Sequence, residues 1–374
     1  MPLRVAYISK FPPQVGGIER HVYEIARRLV KGNNDVRVFT CNDARETYMV
    51  DGIQVLNYRP IARIDTYYWI ARPWLIRNFL KDIECFNPDI VHFHLFSNTL
   101  ELLMPKLCKK YHVAVTPHIS IGAGFYGLTV CQISVAILKK IAGNASLLIC
   151  VSDMLCKWLK KCNLNFKGTV KVIPNGVDTG KYTPPRKRTL EKPYRISFVG
   201  RIASEKNIPT IIKAFEKIRE KLGDVELIIM GKGPLLKKYL KKYGDIKGVQ
   251  FKGYVPEREK IRILRLSHLF IFPSLAEAQG ISLIEAISCG LPCITSKIGG
   301  MPSIIKHGFN GFLVDPFDAD KIAKYAIKIL SNEHLYHRMS INARKFAVEN
   351  FDWDKIAEKT LKAYMEILNE KGVH

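Results

Sequence analysis

Glu277 and Glu285 bracket seven residues in EAQGISLIE, and some 70 positions upstream Arg201 and Lys206 stand five apart in FVGRIASEKN. Two carboxylates can hold the hydroxyls of a sugar or a ribose. Two cations can hold phosphate, Arg as a fork of donors and Lys as a point charge. Between the glutamates, Gly280, Ile281 and Ser282 open a helix whose free N–H groups can face a phosphate, with Glu285 further along the same face. The surroundings of these glutamates are apolar, where an unpartnered carboxylate is costly, so a ligand role is favoured over a solvated helix face. A further pair, Gly16 and Gly17 in FPPQVGGIERHV, lies just before a helical pattern and lets a ligand approach the backbone. No GxGxxG follows a strand and no GxxxxGK[ST] occurs, which counts against a dinucleotide dehydrogenase and a P-loop nucleotidase.

The elements that must position these groups follow from periodicity. Short Val- and Ile-rich runs alternate with longer amphipathic stretches, the pattern of βαβ units around a parallel sheet. RVAYIS, DVRVFT, IVHFHL, VAVTPH, LLICVS and KVIPNG read as strands in the first half. RISFVG, VELIIMG, VQFKGY, LFIFPS, PCITS and GFLVD do so in the second. Between the halves, VDTGKYTPPRKRTLEKPYR has prolines, basic residues and no apolar periodicity, so Asp178 to Lys192 reads as a linker. Two doubly wound α/β domains are expected, 1–180 and 181–352, with a last helix from Trp353. Ligands of such sheets bind outside the carboxyl ends of the strands. Gly16, Gly17, His118, Arg201, Lys206 and Glu277 all fall there, which implies a cleft between the domains.

Composition narrows the partners. The 374 residues carry 58 Lys/Arg against 34 Asp/Glu, a net charge of +24. Residues 1–183 hold 24 of the basic and 13 of the acidic residues, the remainder 34 and 21, so the charge is no basic tail. It draws polyphosphates, anionic membranes or nucleic acid, or is a general surface bias. The nine cysteines form no CxxC pair, which fits thiols in a reducing cytoplasm, and neither zinc nor another metal is expected. No secretory signal is recognised at the start. His92 and His94 in HFH are expected to face opposite sides of a strand, which disfavours a metal pair. Two segments bear on membranes. Ile119–Leu138 is uncharged but rich in Gly and hydroxyl residues, which argues against a span. RPIARIDTYYWIARPWLIRNFLKDI interleaves Arg59, Arg63, Arg72 and Arg77 with Tyr67, Tyr68, Trp69, Trp74 and Phe79. It reads as a membrane-interface segment or as an amphipathic helix buried against the sheet.

With GGIE at 16–19, HFH at 92–94, PNGVD at 174–178, GRIASEKN at 200–207, GKGP at 231–234, EAQGISLIEA at 277–286 and GGMP at 299–302, the chain resembles glycosyltransferase family 4, retaining enzymes of GT-B architecture. The resemblance spans almost the whole chain. It implies two facing Rossmann-like domains, with helix 353–374 crossing back to the N-terminal, acceptor-side domain. It further implies that a hexose passes from a UDP-, GDP- or ADP-sugar to a hydroxyl of a glycan or lipid-linked acceptor, without metal or cofactor, the nucleotide sugar being a substrate. By the same resemblance, Arg201 and Lys206 bind the diphosphate, Glu285 the ribose and Glu277 the transferred sugar. The amides of Gly16, Gly17, Gly280 and Ile281, beside Ser282, line phosphates and sugar. His118 lies near the reacting face, and Tyr254 and Val255 lie near the base. Three positions depart from the pattern: Ala278 and Gln279 replace a glycine and an aromatic, and Ser303 replaces an acid. A cytoplasmic enzyme, peripheral on the inner membrane face if the basic–aromatic segment binds lipid, is the expectation. An epimerase on the same architecture and a nucleic-acid- or lipid-binding protein are the rivals.

Overall fold

The computed structural model describes residues 2–12, 16–42, 47–64, 68–95, 98–119, 121–122, 135–164 and 166–370. Most of the uncharged stretch (120 and 123–134), as well as Tyr67, lies outside them. The chain divides into two compact units: residues 1–119, 130–175 and 353–374 form one, and 120–129 with 176–352 the other.

In the first unit the Val/Ile-rich runs pair as anticipated from their near-continuous apolar character, which suits strands covered on both faces. The strands are β1 (Arg4–Ile8), β2 (Asp35–Thr40), β3 (Thr47–Val50), β4 (Ile53–Asn57), β5 (Pro60–Ile64), β6 (Tyr68–Ala71), β7 (Ile90–His94) and β8 (His112–Thr116). A short β9 (Ile121–Gly122) belongs to the second unit, after which β10 (Leu147–Cys150) and β11 (Thr169–Val172) return to the first. Eight of these form one sheet in the order β11-β10-β8-β7-β1-β2-β4-β3, parallel except for β3 against β4. The helix Gly17–Lys31 buries Val22, Ile25, Ala26 and Leu29 at the i, i+3, i+4, i+7 spacing of one face. The last helix, Trp353–Glu370, packs on it and on β8 and β10, placing Trp353, Ile356, Tyr364 and Ile367 in the core of this unit.

The basic–aromatic segment is not one amphipathic helix. Pro60–Ile64 and Tyr68–Ala71 pair antiparallel as β5 and β6, and among the described residues of the segment only those within Leu75–Phe86 are helical, burying Phe79, Ile83 and Phe86. The physical reason is local: β-branched and aromatic residues crowd the hairpin, and Pro73 follows it.

The second unit has β12 (Tyr194–Val199), β13 (Val225–Met230), β14 (Val249–Gly253), β15 (Leu269–Phe272), a short β16 (Ala276–Glu277), β17 (Cys293–Ser296) and β18 (Gly311–Val314). Six form an all-parallel sheet, β14-β13-β12-β15-β17-β18, while β16 pairs antiparallel with β9. The segment read as a linker is instead packed within this unit. Tyr182 is fully buried, Thr179 donates to the Asp352 carboxylate, and the Arg188 guanidinium donates to the carbonyls of Ser267 (2.7 Å) and Cys289 (2.5 Å). Its prolines interrupt periodicity without making it a spacer.

Candidate active site

In the second unit, β12 ends at Val199 and the turn Gly200–Ile202 carries Arg201 outward. That turn is held backbone on backbone by the GKGP loop. Ile202 N donates to Lys232 O (2.9 Å) and Leu235 N to Ile202 O (3.0 Å). A methyl group on Gly231, whose φ is +144°, would come within 1.8 Å of Gly200 O, so only glycine permits this approach. The following short turn, Ser204–Lys206, brings Lys206 against Glu277: Nζ lies 2.5 Å from Oε2, with both side chains mostly buried. Two hydrogen bonds to Glu205 O fix that meeting, from Leu275 N (2.7 Å) and Ser274 Oγ (3.0 Å). The Lys206 ammonium also lies 5.4 Å from the Phe272 ring centroid.

Gly280 adopts φ +92° and begins the helix Ile281–Ser288, with Ile281 and Ser282 partly exposed in its first turn. Further into the helix, Glu285 is 7% exposed and held by two side chains. Lys260 Nζ sits 2.7 Å from each of its oxygens, and the Tyr182 hydroxyl donates to Oε1 at 2.9 Å. The GGMP motif packs directly beneath the loop before this helix, where a methyl on Gly300 would lie 2.3 Å from Ala278 O. Gln279 is buried, and Ser303 Oγ donates back to Gly300 O (2.6 Å). Tyr254 is 57% exposed with the Lys232 ammonium 5.3 Å from its ring centroid, and Val255 packs on Ile228, Met230 and Ile263.

In the first unit, Gly16 is extended and precedes the helix Gly17–Lys31, while His118 follows β8. A side chain on Gly16 would meet the Glu19 carboxylate at 2.2 Å. His92 and His94 share one face of β7, their ring centroids 4.2 Å apart, contrary to the expectation that they diverge. Residues two apart on a strand point the same way, so the period of two places both rings on one side. They open a cluster of four imidazoles. His94 Nδ1 lies 3.1 Å from His118 Nε2 in stacked geometry, and His21 packs edge-on against His118. His92 is held by the Tyr364 hydroxyl (2.6 Å) and Thr116 Oγ1 (2.8 Å). Burial drives all four below the usual imidazole range. Neighbouring histidines reinforce this for His92, His94 and His118, the latter also feeling Lys10, and His21 falls to about 4 despite its hydrogen bond with Asn175. The cluster is therefore neutral at physiological pH.

The structure thus joins Lys206 to Glu277, sets Gly280 beside them, and encloses Glu285 with two partners that sequence reasoning missed. Lys260 has no motif or spacing that sets it apart from the other basic residues, and Tyr182 lies in the segment read as a linker. Among the described residues, no group of three or more His, Cys, Asp or Glu is arranged to hold a metal ion, and no helix is long and apolar enough to cross a membrane.

The family model for glycosyltransferase family 4 matches residues 15–181, and that for glycosyl transferases group 1 matches residues 183–346. An uncharacterized glycosyltransferase of Methanocaldococcus jannaschii is 26% identical, covering 99% of this chain and all of its own. The gpi3 subunit of the Schizosaccharomyces pombe phosphatidylinositol N-acetylglucosaminyltransferase is 26% identical over 97% of this chain and 80% of its own. The solved sucrose-phosphate synthase of Thermosynechococcus elongatus superposes with a TM-score of 0.82 at 20% identity, covering 98% of this chain and all of its own. Two Rossmann-like units in the GT-B architecture, matched nearly end to end by these two family models, identify the chain as a glycosyltransferase of family 4, its second half of the group 1 type.

Proposed function

We propose that this glycosyltransferase moves a hexose, with retention of anomeric configuration, from a nucleoside-diphosphate sugar to a hydroxyl of a glycan or lipid-linked acceptor. The observation that carries the reading is the Lys206–Glu277 contact of 2.5 Å at the carboxyl end of the second sheet. A cation suited to phosphate and a carboxylate suited to sugar hydroxyls stand side by side in it, as the two ends of a glycosyl phosphate bond require. Lys206 and Arg201 stabilise charge developing on the leaving diphosphate, which makes a metal unnecessary for that task. Glu277 orients the sugar through its hydroxyls, and Gly280, Ile281 and Ser282 present the helix start to phosphate. Tyr254 and Val255 border the base. The family likeness also assigns Gly16, Gly17 and His118 to the sugar, His118 as a neutral imidazole.

Glu285 is assigned the ribose. A carboxylate offers about four acceptor positions. Lys260 and Tyr182 occupy three of them, which leaves about one, on Oε2, for a ribose hydroxyl. No side chain is assigned as a nucleophile. The leaving phosphate takes the acceptor's proton as the new bond forms on the same face. The similarity to a phosphatidylinositol N-acetylglucosaminyltransferase supports an amino sugar donor and a lipid-borne acceptor as the first to test.

Thermal-shift screening against UDP-, GDP- and ADP-sugars selects the donor, and product NMR then reads the anomeric configuration. Lys206→Ala is expected to lower kcat by at least about a hundredfold. A near-normal rate in that variant removes the assignment, an inverted product removes retention, and an isomerised intact donor supports the epimerase instead.

A further inference from the structure

The β5–β6 hairpin pairs Pro60 with Ala71, so the residues just outside its open end, Arg59 and Arg72, are held side by side. Both line one cavity of about 400 Å³, together with Thr47, Asn57, Asn78 and Asp82. Like charges set opposite each other at a strand pair are destabilising, a cost that an anion held between them would offset. Neither arginine has a carboxylate partner among the described residues. Arg72 Nε donates to Pro60 O (3.3 Å), and the one acid among the described residues of the cavity wall, Asp82, accepts from the Tyr58 hydroxyl at 2.6 Å. Next to Arg72, the Trp74 ring is 61% exposed, 5.7 Å from the guanidinium, a flat apolar face of the kind that stacks on sugar rings.

The cavity sits where β4 ends, at Asn57, on the same carboxyl edge of the sheet as His94 and His118. From β4 across β2 and β1 to β7 is three strand spacings, and β8 is a fourth. At 4.7–4.9 Å per spacing the cavity lies about 15–20 Å from the imidazoles.

We infer that Arg59 and Arg72 form a binding site for an anionic group, phosphate or carboxylate, carried by the acceptor at a distance from the hydroxyl that is glycosylated. This rests on the transferase reading above and sharpens its acceptor class. A compact acceptor whose charge adjoins its hydroxyl cannot bridge about 15–20 Å; an extended one can. A lipid-diphosphate oligosaccharide and an acidic oligosaccharide share the required chemistry. Two charge-assisted, bidentate arginine contacts suit either anion.

Initial rates of the full chain discriminate the sources. The acceptors are a short-chain lipid-diphosphate oligosaccharide, its dephosphorylated form, and soluble oligosaccharides of equal length with and without a terminal uronate. Arg59→Glu is the principal variant, because Arg59 makes no hydrogen bond to a described residue; Arg72→Gln is the second. For whichever anionic acceptor is used, KM is expected to rise about tenfold to a hundredfold in Arg59→Glu, with donor KM and the neutral acceptors unchanged. An unchanged KM for every anionic acceptor overturns the site. Loss of binding to anionic vesicles, with transfer to soluble anionic acceptors intact, also overturns it and makes the patch a membrane contact. Pyrophosphate binding by calorimetry with UDP in excess gives an activity-free reading. Weaker binding in Arg59→Glu supports the site even where no donor is turned over, and equal binding rejects it. Absence of turnover with every donor bears on the transferase reading alone.

Discussion

Glu285 and Lys260 form a nearly buried ion pair, and under the proposed ribose role of Glu285 stability and turnover respond differently to substitution. Removing one member strands the other's charge, at a cost of about 3–5 kcal/mol for a well-buried pair, less here since Lys260 retains some exposure. Lys260→Met and Glu285→Gln are each expected to lower the melting temperature, and the double variant to recover most of the loss because no lone charge remains. Donor turnover should behave differently: Glu285→Gln loses about a hundredfold in kcat/KM and the double variant does not recover it. Melting and kinetics on the four proteins of the cycle check this, and recovery of turnover in the double variant would assign Glu285 to structure alone. The imidazoles add a pH dependence. Their folded pKa values lie below the ordinary 6.5, so the native protein prefers them neutral and the unfolded chain binds more protons below that pH. Their contribution is complete above about 6.5 and is lost as pH falls, for His21 across the window from 6.5 to about 4. His268 in the second unit falls to about 4 likewise, through burial and then Arg188 and Arg195. Denaturation free energy measured from about pH 7.5 to about 4.5 should decline steadily below about 6.5, and a flat profile would show that the rings are not held neutral.

Glycine contacts, which leave only a trace in sequence, set the loops that present the cations. Gly231 touches Gly200 O so closely that Gly231→Ala must move the Gly200–Ile202 turn or the GKGP loop, and with it Arg201. A destabilisation of about 1–3 kcal/mol is expected, from overpacking together with the positive φ. Donor KM should rise as well, whereas Gly308→Ala, also at positive φ but with nothing within 4 Å, should lose stability without changing KM. Equal donor KM in both variants would mean the turn plays no part in donor binding. Elements also differ in how far their residues announce them. The central strands were legible because two-sided burial makes them continuous Val/Ile runs. The β3–β6 region was not, since short half-exposed strands and a hairpin carry no such run. Tyr182 escaped because prolines around it erase periodicity, while its burial depends on residues 75 and 103 positions away. The shared face of His92 and His94 follows from strand geometry and was misjudged. Their closure by Tyr364, 272 positions from His92, has no local signal at all.

At the scale of the whole chain, the last helix completes a unit whose other parts end at residue 175. Trp353 and Tyr364 are among the largest fully buried side chains, and Tyr364 links the Tyr7 hydroxyl (3.0 Å) to His92 (2.6 Å). Deleting residues 353–374 uncovers the face of Gly17–Lys31 and leaves His92 and Tyr7 without that hydroxyl. Each loss of a buried large side chain costs about 3–5 kcal/mol, and a domain's margin is about 5–15 kcal/mol. The truncated chain is therefore expected to lose the folded first unit while keeping the second, whose core draws on none of these residues. Tyr364→Phe separates packing from hydrogen bonding: the ring stays, the hydroxyl goes, and a loss of about 1–3 kcal/mol is expected from the partners left unsatisfied. Hydrogen exchange on both variants resolves the two units. Protection should vanish from β1, β7 and β8 in the truncated chain while β12, β13 and β15 remain protected, and in Tyr364→Phe it should weaken only in the first unit. Uniform loss across both sheets would instead show that the two units fold as one cooperative body, and the helix would then be a determinant of the whole molecule rather than of the imidazole-bearing half.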